Sequence, residues 1–177
     1  NYIGSISHIL RVFLIDKKVE LPFGAITITV NNTLASLQKW ATIHRAKFNI
    51  PVIAITGSNG KTITKEWLSQ LLSKHYNVVK SPKSYNSQIG VPLSVLLIDE
   101  THEVAVIEAG VSQPNEMKYL EEIIKPTICL LTNIGDAHSS GFEGDGLVNL
   151  ERKLKEKSIL FRDCKELIFY SGEDSNP

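Results

Sequence analysis

Thr56-Gly57-Ser58-Asn59-Gly60-Lys61-Thr62 follows directly on the apolar run Val52-Ile53-Ala54-Ile55. The order is a buried strand, a glycine loop, a lysine, a hydroxyl and then a helix-forming stretch from Lys65 to His75. Such a loop turns consecutive backbone N–H groups toward one point, where a helix N-terminus adds partial positive charge, so phosphate is its natural occupant. Gly57, Ser58, Asn59 and Gly60 are the expected cradle. Lys61 is placed to reach the outer phosphates and Thr62 to set its hydroxyl on Mg²⁺. The long phosphate-loop pattern wants a glycine where this chain has Ile55, so the shorter TGxxGKT carries the reading. A strand-to-helix turn that merely favours glycine would explain Gly57 and Gly60 but not Lys61-Thr62.

Working outward, strands and helices alternate. Val52–Thr56, Asn77–Lys80, Glu103–Glu108, Thr127–Thr132 and Glu166–Tyr170 read as strands. Ile63–His75, Gln88–Leu97, Asn115–Ile124 and Leu150–Phe161 read as helices between them. That alternation predicts an α/β fold, a mostly parallel sheet flanked by crossover helices, with ligands beyond the carboxyl ends of the strands. Before it, Arg11–Ile15 and Ala25–Val30 read as short β-branched strands, and Ser5–Leu10 as a further one. Leu34, Leu37, Trp40 and Ala41 fall at helical spacing between Thr33 and Phe48. Asn49-Ile50-Pro51 ends that pattern, because the residue before proline is pushed out of the α region. The expected division is a small N-terminal α/β remnant at 1–49 and a phosphate-loop domain at 50–177.

The composition is that of a globular protein: 42% of the 177 residues are hydrophobic. Nineteen basic residues balance nineteen acidic ones, so no global field recruits nucleic acid. Cys129 and Cys164 are too few for a disulfide framework and fit a reducing, cytoplasmic setting. No apolar run is long enough to cross a membrane.

Two further motifs end predicted strands, and a helix and a loop carry the other candidates. Glu108 closes Val104-Ala105-Val106-Ile107, where a phosphate-loop protein holds its metal, and Thr62, Glu108 and phosphate would give Mg²⁺ hard oxygen ligands. In Thr132-Asn133-Ile134-Gly135-Asp136-Ala137-His138, His138 is a candidate metal ligand with Asp136 as competitor, and Asn133 a candidate for the nucleotide. On a helical wheel Leu150, Leu154, Ser158 and Phe161 share a face. Lys157 lies beside that stripe, and Lys153 and Lys155 point to its flanks. Lys157 therefore either snorkels along apolar surface or turns into the site. The loop from Lys83 to Pro92, with Ser84, Asn86 and Gln88, reads as a substrate loop leading into a helix.

Together ITGSNGKTITKEWL, SYNSQIGVPLSVL, VIEAGVSQPNEM and TNIGDAHSSGF resemble the Mur ligases, most closely the MurF branch. SPKSYNSQIGVPLSV resembles the versions fused to alanine racemase in Bacteroides-like bacteria. The resemblance implies an ATP-dependent ligase in which UDP-MurNAc-tripeptide is phosphorylated at its terminal carboxylate and D-Ala-D-Ala displaces the phosphate. It implies Lys61 on the β- and γ-phosphates, Thr62 and Glu108 on one Mg²⁺, and His138 on a second metal. Asn133 would face the nucleotide, and Ser84, Asn86 and Gln88 the muramoyl substrate. It also implies a carbamylated lysine, matched by Lys157 four residues before Phe161, although Gly144-Asp145-Gly146 lengthens the preceding stretch.

Ile6–Leu10 resembles the first strand of the family's N-terminal domain and Arg11–Asp16 a much later one, so residues are expected to be missing after Leu10. The family's C-terminal domain has no counterpart here, and the chain alone is expected to be inactive. The alternatives are another Mur or folylpolyglutamate-type ligase, or a nucleotide-binding switch without ligation. A switch would need Thr62 and Glu108 but not His138 and Lys157.

Overall fold

The computed structural model describes residues 12–20, 23–134 and 146–169. The strand expected at Ser5–Leu10 and the break expected after Leu10 lie outside the described residues. Two compact units are present, Asn1–Leu37 and Gln38–Pro177. In the first, β1 (Val12–Ile15) and β2 (Ile26–Thr29) pair in parallel, Val12 opposite Ile26. Helix α1 (Thr33–Arg45) begins there and contains the division between the units. Its start is fixed twice: Asn32 Oδ1 accepts the Ala35 N–H at 2.8 Å, and Asp16 Oδ2 accepts both the N–H and the hydroxyl of Thr33.

The second unit is built on β3 (Val52–Thr56), β4 (Val78–Lys80), β5 (Val104–Glu108), β6 (Ile128–Leu131) and β7 (Glu166–Phe169). All are parallel, in the order β4-β5-β3-β6-β7. β3 and β5 are buried along their whole length, which is why they read as apolar runs rich in β-branched residues rather than as alternating ones. The connections carry α2 (Lys61–Leu72), α3 (Gly90–Val95), α4 (Met117–Ile124) and α5 (Gly146–Ser158), the last running into a 3₁₀ turn at Ile159–Phe161. Among the described residues no helix is long and apolar enough to cross a membrane.

Two apolar layers cover the two faces. Val52, Ala54, Ala105, Ile107 and Cys129 meet Ala41 of α1, Val91 and Val95 of α3, Leu120 and Ile124 of α4, and Leu160. On the other face Ile53, Ile55, Val104 and Val106 meet Leu68 and Leu72 of α2. Truncating a wholly buried side chain such as Ile107 or Leu120 to alanine would cost about 2–5 kcal/mol. α2 uses a narrower stripe than its sequence suggests: Trp67 and Leu71 are exposed while Leu68 and Leu72 pack inward.

Arg45 is buried, and among the described residues its hydrogen-bond partners are backbone carbonyls. Its guanidinium donates to the carbonyls of Phe48, Ile124 and Lys125, so a cation sits on the C-terminus of α4, where the helix dipole favours it. Lys125 ends that helix in the left-handed region, φ 44°.

After β3 the chain crosses to β4, returns to β5 beside β3, then passes to β6 on the other side. The carboxyl ends of β3, β5 and β6 therefore meet where the winding reverses, which is where open parallel sheets bind ligands.

Candidate functional site

The loop after β3 is held by the segment after β6. Gly57 has φ 143° and Gly60 has φ 79°, both in the region L side chains avoid. A Cβ on Gly57 would run into the Thr132 hydroxyl and stand 3.1 Å from the N and O of Asn133. The Thr132 hydroxyl donates to the Asn59 carbonyl at 2.6 Å. Asn133 accepts the Ser58 N–H on its carbonyl at 2.9 Å and the Asn59 N–H on Oδ1 at 2.8 Å. These two loop amides, expected to converge on phosphate, thus belong to Asn133, which acts on the loop itself. The amides of Gly60, Lys61 and Thr62 stand at the opening of α2, where a helix leaves its N–H groups without intrahelical partners. No side-chain hydrogen bond caps that end.

Two lysines converge on the loop carbonyls. Lys61 Nζ donates to Gly57 O at 2.8 Å and to Ser58 O at 3.1 Å. Burial pulls the Lys61 ammonium below its ordinary range, and the Glu108 charge pulls the other way. From α5, Lys157 Nζ donates to the same Gly57 carbonyl at 3.1 Å. Burial, then the nearby charges of Lys61 and Lys153, bring Lys157 down from 10.5 to about 8, against the opposing charge of Glu156.

Glu108, 1% exposed, ends β5 beside the start of α2. The Thr62 hydroxyl lies 3.1 and 2.9 Å from its two carboxylate oxygens, and Asn86 Nδ2 donates to Oε1 at 2.7 Å. Its backbone N–H goes to Ser81 Oγ at 3.1 Å, and Lys65 Nζ is 3.8 Å from Oε2. A hydroxyl and a buried carboxylate side by side at a helix N-terminus form a hard oxygen donor set that fits Mg²⁺ with phosphate completing the shell. Among the described residues no three His, Cys, Asp or Glu side chains cluster as a metal cage. Mg²⁺ commonly uses one or two protein oxygens and so needs none.

Ser84 brings its hydroxyl to 3.5 Å from Thr62 Oγ1. Gln88 is turned elsewhere, donating to Glu116 O at 3.0 Å and accepting from Gln38 Nε2 at 3.0 Å. His138 and Asp136 lie outside the described residues.

The wheel drawn for α5 is corrected by the structure. Leu154 and Ser158 are exposed, while Asn149, Lys153, Glu156, Lys157 and Leu160 are buried. Lys153 is thus on the inner face, not a flank. This helix packs a polar stripe inward because its neighbours there are polar. Glu156 takes the Asn115 and Met117 N–H groups at the start of α4 at 2.9 and 2.8 Å, and Lys157 takes Gly57 O. Apolar periodicity could not find that face. Sequence reasoning likewise passed over Thr132, Ser81, Lys65 and Glu156. The 149, 153, 156, 157, 160 spacing was the signal available for Glu156.

A family model for the Mur ligase middle domain matches residues 55–175. The chain belongs to the Mur ligase family. Its sequence is 44% identical over 120 residues to a UDP-N-acetylmuramoyl-tripeptide–D-alanyl-D-alanine ligase of Borreliella burgdorferi, covering 68% of this chain and 26% of that protein. The enzyme of that name from Bacillus subtilis is 37% identical over 144 residues, covering 78% of this chain and 32% of the relative. Among solved structures, MurF ligase from Thermotoga maritima in complex with ADP matches with a TM-score of 0.77 at 28% identity, over 92% of this chain and 37% of that one. MurF from Acinetobacter baumannii matches with a TM-score of 0.76 at 28% identity, over 85% and 32%. This Mur ligase chain thus spans about a quarter to a third of the curated relatives it matches.

Proposed function

We propose that this chain forms the ATP-binding part of a cytoplasmic ligase that joins D-Ala-D-Ala to UDP-MurNAc-tripeptide through an acyl phosphate. The observation that carries the reading is the meeting of Lys61, Thr62 and Glu108 at one helix N-terminus, with Lys157 brought to the same loop from a distant helix.

The amides opening α2 would take the phosphates. Lys61, now folded onto the carbonyls of Gly57 and Ser58, would exchange them for the β- and γ-phosphate oxygens. Thr62 and Glu108 would hold Mg²⁺, whose chemistry here is to neutralise charge on the phosphates during transfer. The tripeptide carboxylate takes the γ-phosphoryl group and ADP leaves. The D-Ala-D-Ala amine then attacks the acyl carbon, an amide forms, and phosphate departs with the amine's proton passed to solvent or a nearby base. The contacts of Ser84 with Thr62 and of Asn86 with Glu108 support a role for the loop after β4 in receiving the substrate carboxylate, and Gln88 would anchor its far end. Asn133 would shape the nucleotide side through its grip on Ser58 and Asn59, and His138 would serve a second metal.

Lys157 is suited to carbamylation. Only a neutral amine adds CO₂, and a lysine lowered to about 8 offers far more of that form near neutrality than an ordinary one. The product, an N-carboxylate with one proton released, replaces a cation crowded by Lys61 and Lys153 with an anion able to support the second metal. A nucleotide switch would have no use for this lysine, which favours the ligase reading.

The test is phosphate release from MgATP by the gene product carrying this sequence, with both substrates present. Release that needs UDP-MurNAc-tripeptide and D-Ala-D-Ala together supports the reading. ATP hydrolysis indifferent to both would replace it with the switch.

A further inference from the structure

Lys65 lies one turn beyond Lys61 and is wholly buried, an uncommon state for a lysine. Its ammonium donates to the Lys83 carbonyl and lies 3.1 Å from Glu66 Oε1 and 3.8 Å from Glu108 Oε2. Glu66 also pairs with Lys80 through its other oxygen, so it has a cation without Lys65. The nearest partner is therefore a backbone carbonyl in the loop after β4. Lys83 sits there in the left-handed region, φ 46°, and that turn aims its carbonyl inward. Beyond it the loop closes through Tyr85 N–H to Pro82 O at 3.0 Å and Asn86 N–H to Ser84 O at 2.8 Å. Asn86 then binds on both sides: its carbonyl accepts the Gly110 N–H at 2.8 Å and its amide donates to Glu108.

We propose that Lys65 is a positioning residue for the Thr62–Glu108 pair. Its buried ammonium anchors the Pro82–Asn86 loop through the Lys83 carbonyl, and the loop orients the Glu108 carboxylate through Asn86. The inference rests on the reading of Thr62 and Glu108 as metal ligands. It adds a structural tie between the loop assigned to the carboxylate substrate and the oxygens assigned to the metal.

Charge and position act in opposite directions here. An ammonium 3.8 Å from Glu108 opposes a dication on that carboxylate, so a residue serving only to balance charge would, when removed, strengthen metal binding. Loss of an orienting partner weakens it, typically 10–100-fold for groups supporting a metal's own ligands.

The experiment compares Lys65→Met with the unchanged chain. Methionine keeps the apolar stem and leaves Glu66 on Lys80, so the fold is expected to persist; should it not, Lys65→Gln is read in the same way. Mn²⁺ binding in the presence of ADP is followed by electron paramagnetic resonance, and amide exchange at Tyr85, Asn86 and Gly110 by NMR. The proposal expects Mn²⁺ affinity to fall at least 10-fold and the three amides to exchange at least 10-fold faster. It expects Asn86→Ala to give a similar Mn²⁺ loss and to add little in combination with Lys65→Met. Unchanged or tighter Mn²⁺ binding overturns it, even if the loop amides quicken. If the unchanged chain binds no Mn²⁺ with ADP, the metal reading of Thr62 and Glu108 fails instead. Amide exchange then decides the anchoring by itself, unchanged rates overturning it.

Discussion

Lys157 should write its buried charge into the pH dependence of stability. Its folded-state value is lowered to about 8 by burial and by the charges of Lys61 and Lys153, whereas in the unfolded chain it returns to about 10.5. Between those values the unfolded state binds more protons, so unfolding free energy rises with pH. The destabilisation is fully present below pH 8 and fades as the pH climbs toward 10.5. At 1.36 kcal/mol for each unit the full effect is about 3 kcal/mol, of which about 2 kcal/mol is recovered between pH 7 and pH 9.5. Other groups titrate in that window, so the assay is a difference: urea unfolding of the chain and of Lys157→Met at both pH values. The gain on raising the pH should be about 2 kcal/mol smaller in the variant. At pH 7 the variant should be the more stable, less about 1 kcal/mol for the lost bond to Gly57 O. Equal pH responses in the two proteins would show that Lys157 is not held as a crowded, buried cation, and would remove the basis for its carbamylation.

The loop and its supports give three more expectations. Gly57→Ala should destabilise by about 2–4 kcal/mol, from φ 143° and the collision with Thr132, and lower the melting temperature by roughly 4–16 °C. Thr132→Ala in the same chain should recover part of that loss by removing the colliding hydroxyl. Arg45→Ala strips their donor from two carbonyls at the end of α4, Ile124 and Lys125, and from Phe48 O just after α1, and should cost about 2–4 kcal/mol by urea unfolding. Glu156→Gln loses a charge on the N-terminus of α4 and should cost about 1–2 kcal/mol, seen also as faster exchange of the Asn115 and Met117 amides.

The sheet was legible because its central strands are buried on both faces. Val52–Thr56 and Val104–Glu108 therefore appear as short unbroken apolar stretches rich in β-branched residues, the first leading into the glycine loop and the second ending at Glu108. The glycine loop of the candidate site was legible because Gly57, Gly60, Lys61 and Thr62 lie within one short stretch of chain. The supports were hidden for the opposite reason. Thr132 meets Gly57, and Lys65 meets Lys83, only after the sheet is wound, and neither pairing leaves a spacing in the sequence. α5 misled for a physical cause of its own. Apolar periodicity finds the buried face of a helix only where that face packs on hydrocarbon, and this one packs Glu156 and Lys157 against backbone groups. α1 shows a milder form: Trp40 is mostly exposed, and the helix is seated by Ala41 and Arg45.

The most direct test of the proposed metal–phosphate site is calorimetric titration of the chain with ATP, with and without Mg²⁺, beside Glu108→Ala. The account predicts that tight binding requires Mg²⁺ and weakens at least 10-fold in the variant, because Glu108 and Thr62 then no longer complete the oxygen shell. Binding of equal strength without Mg²⁺, unchanged by Glu108→Ala, would contradict it.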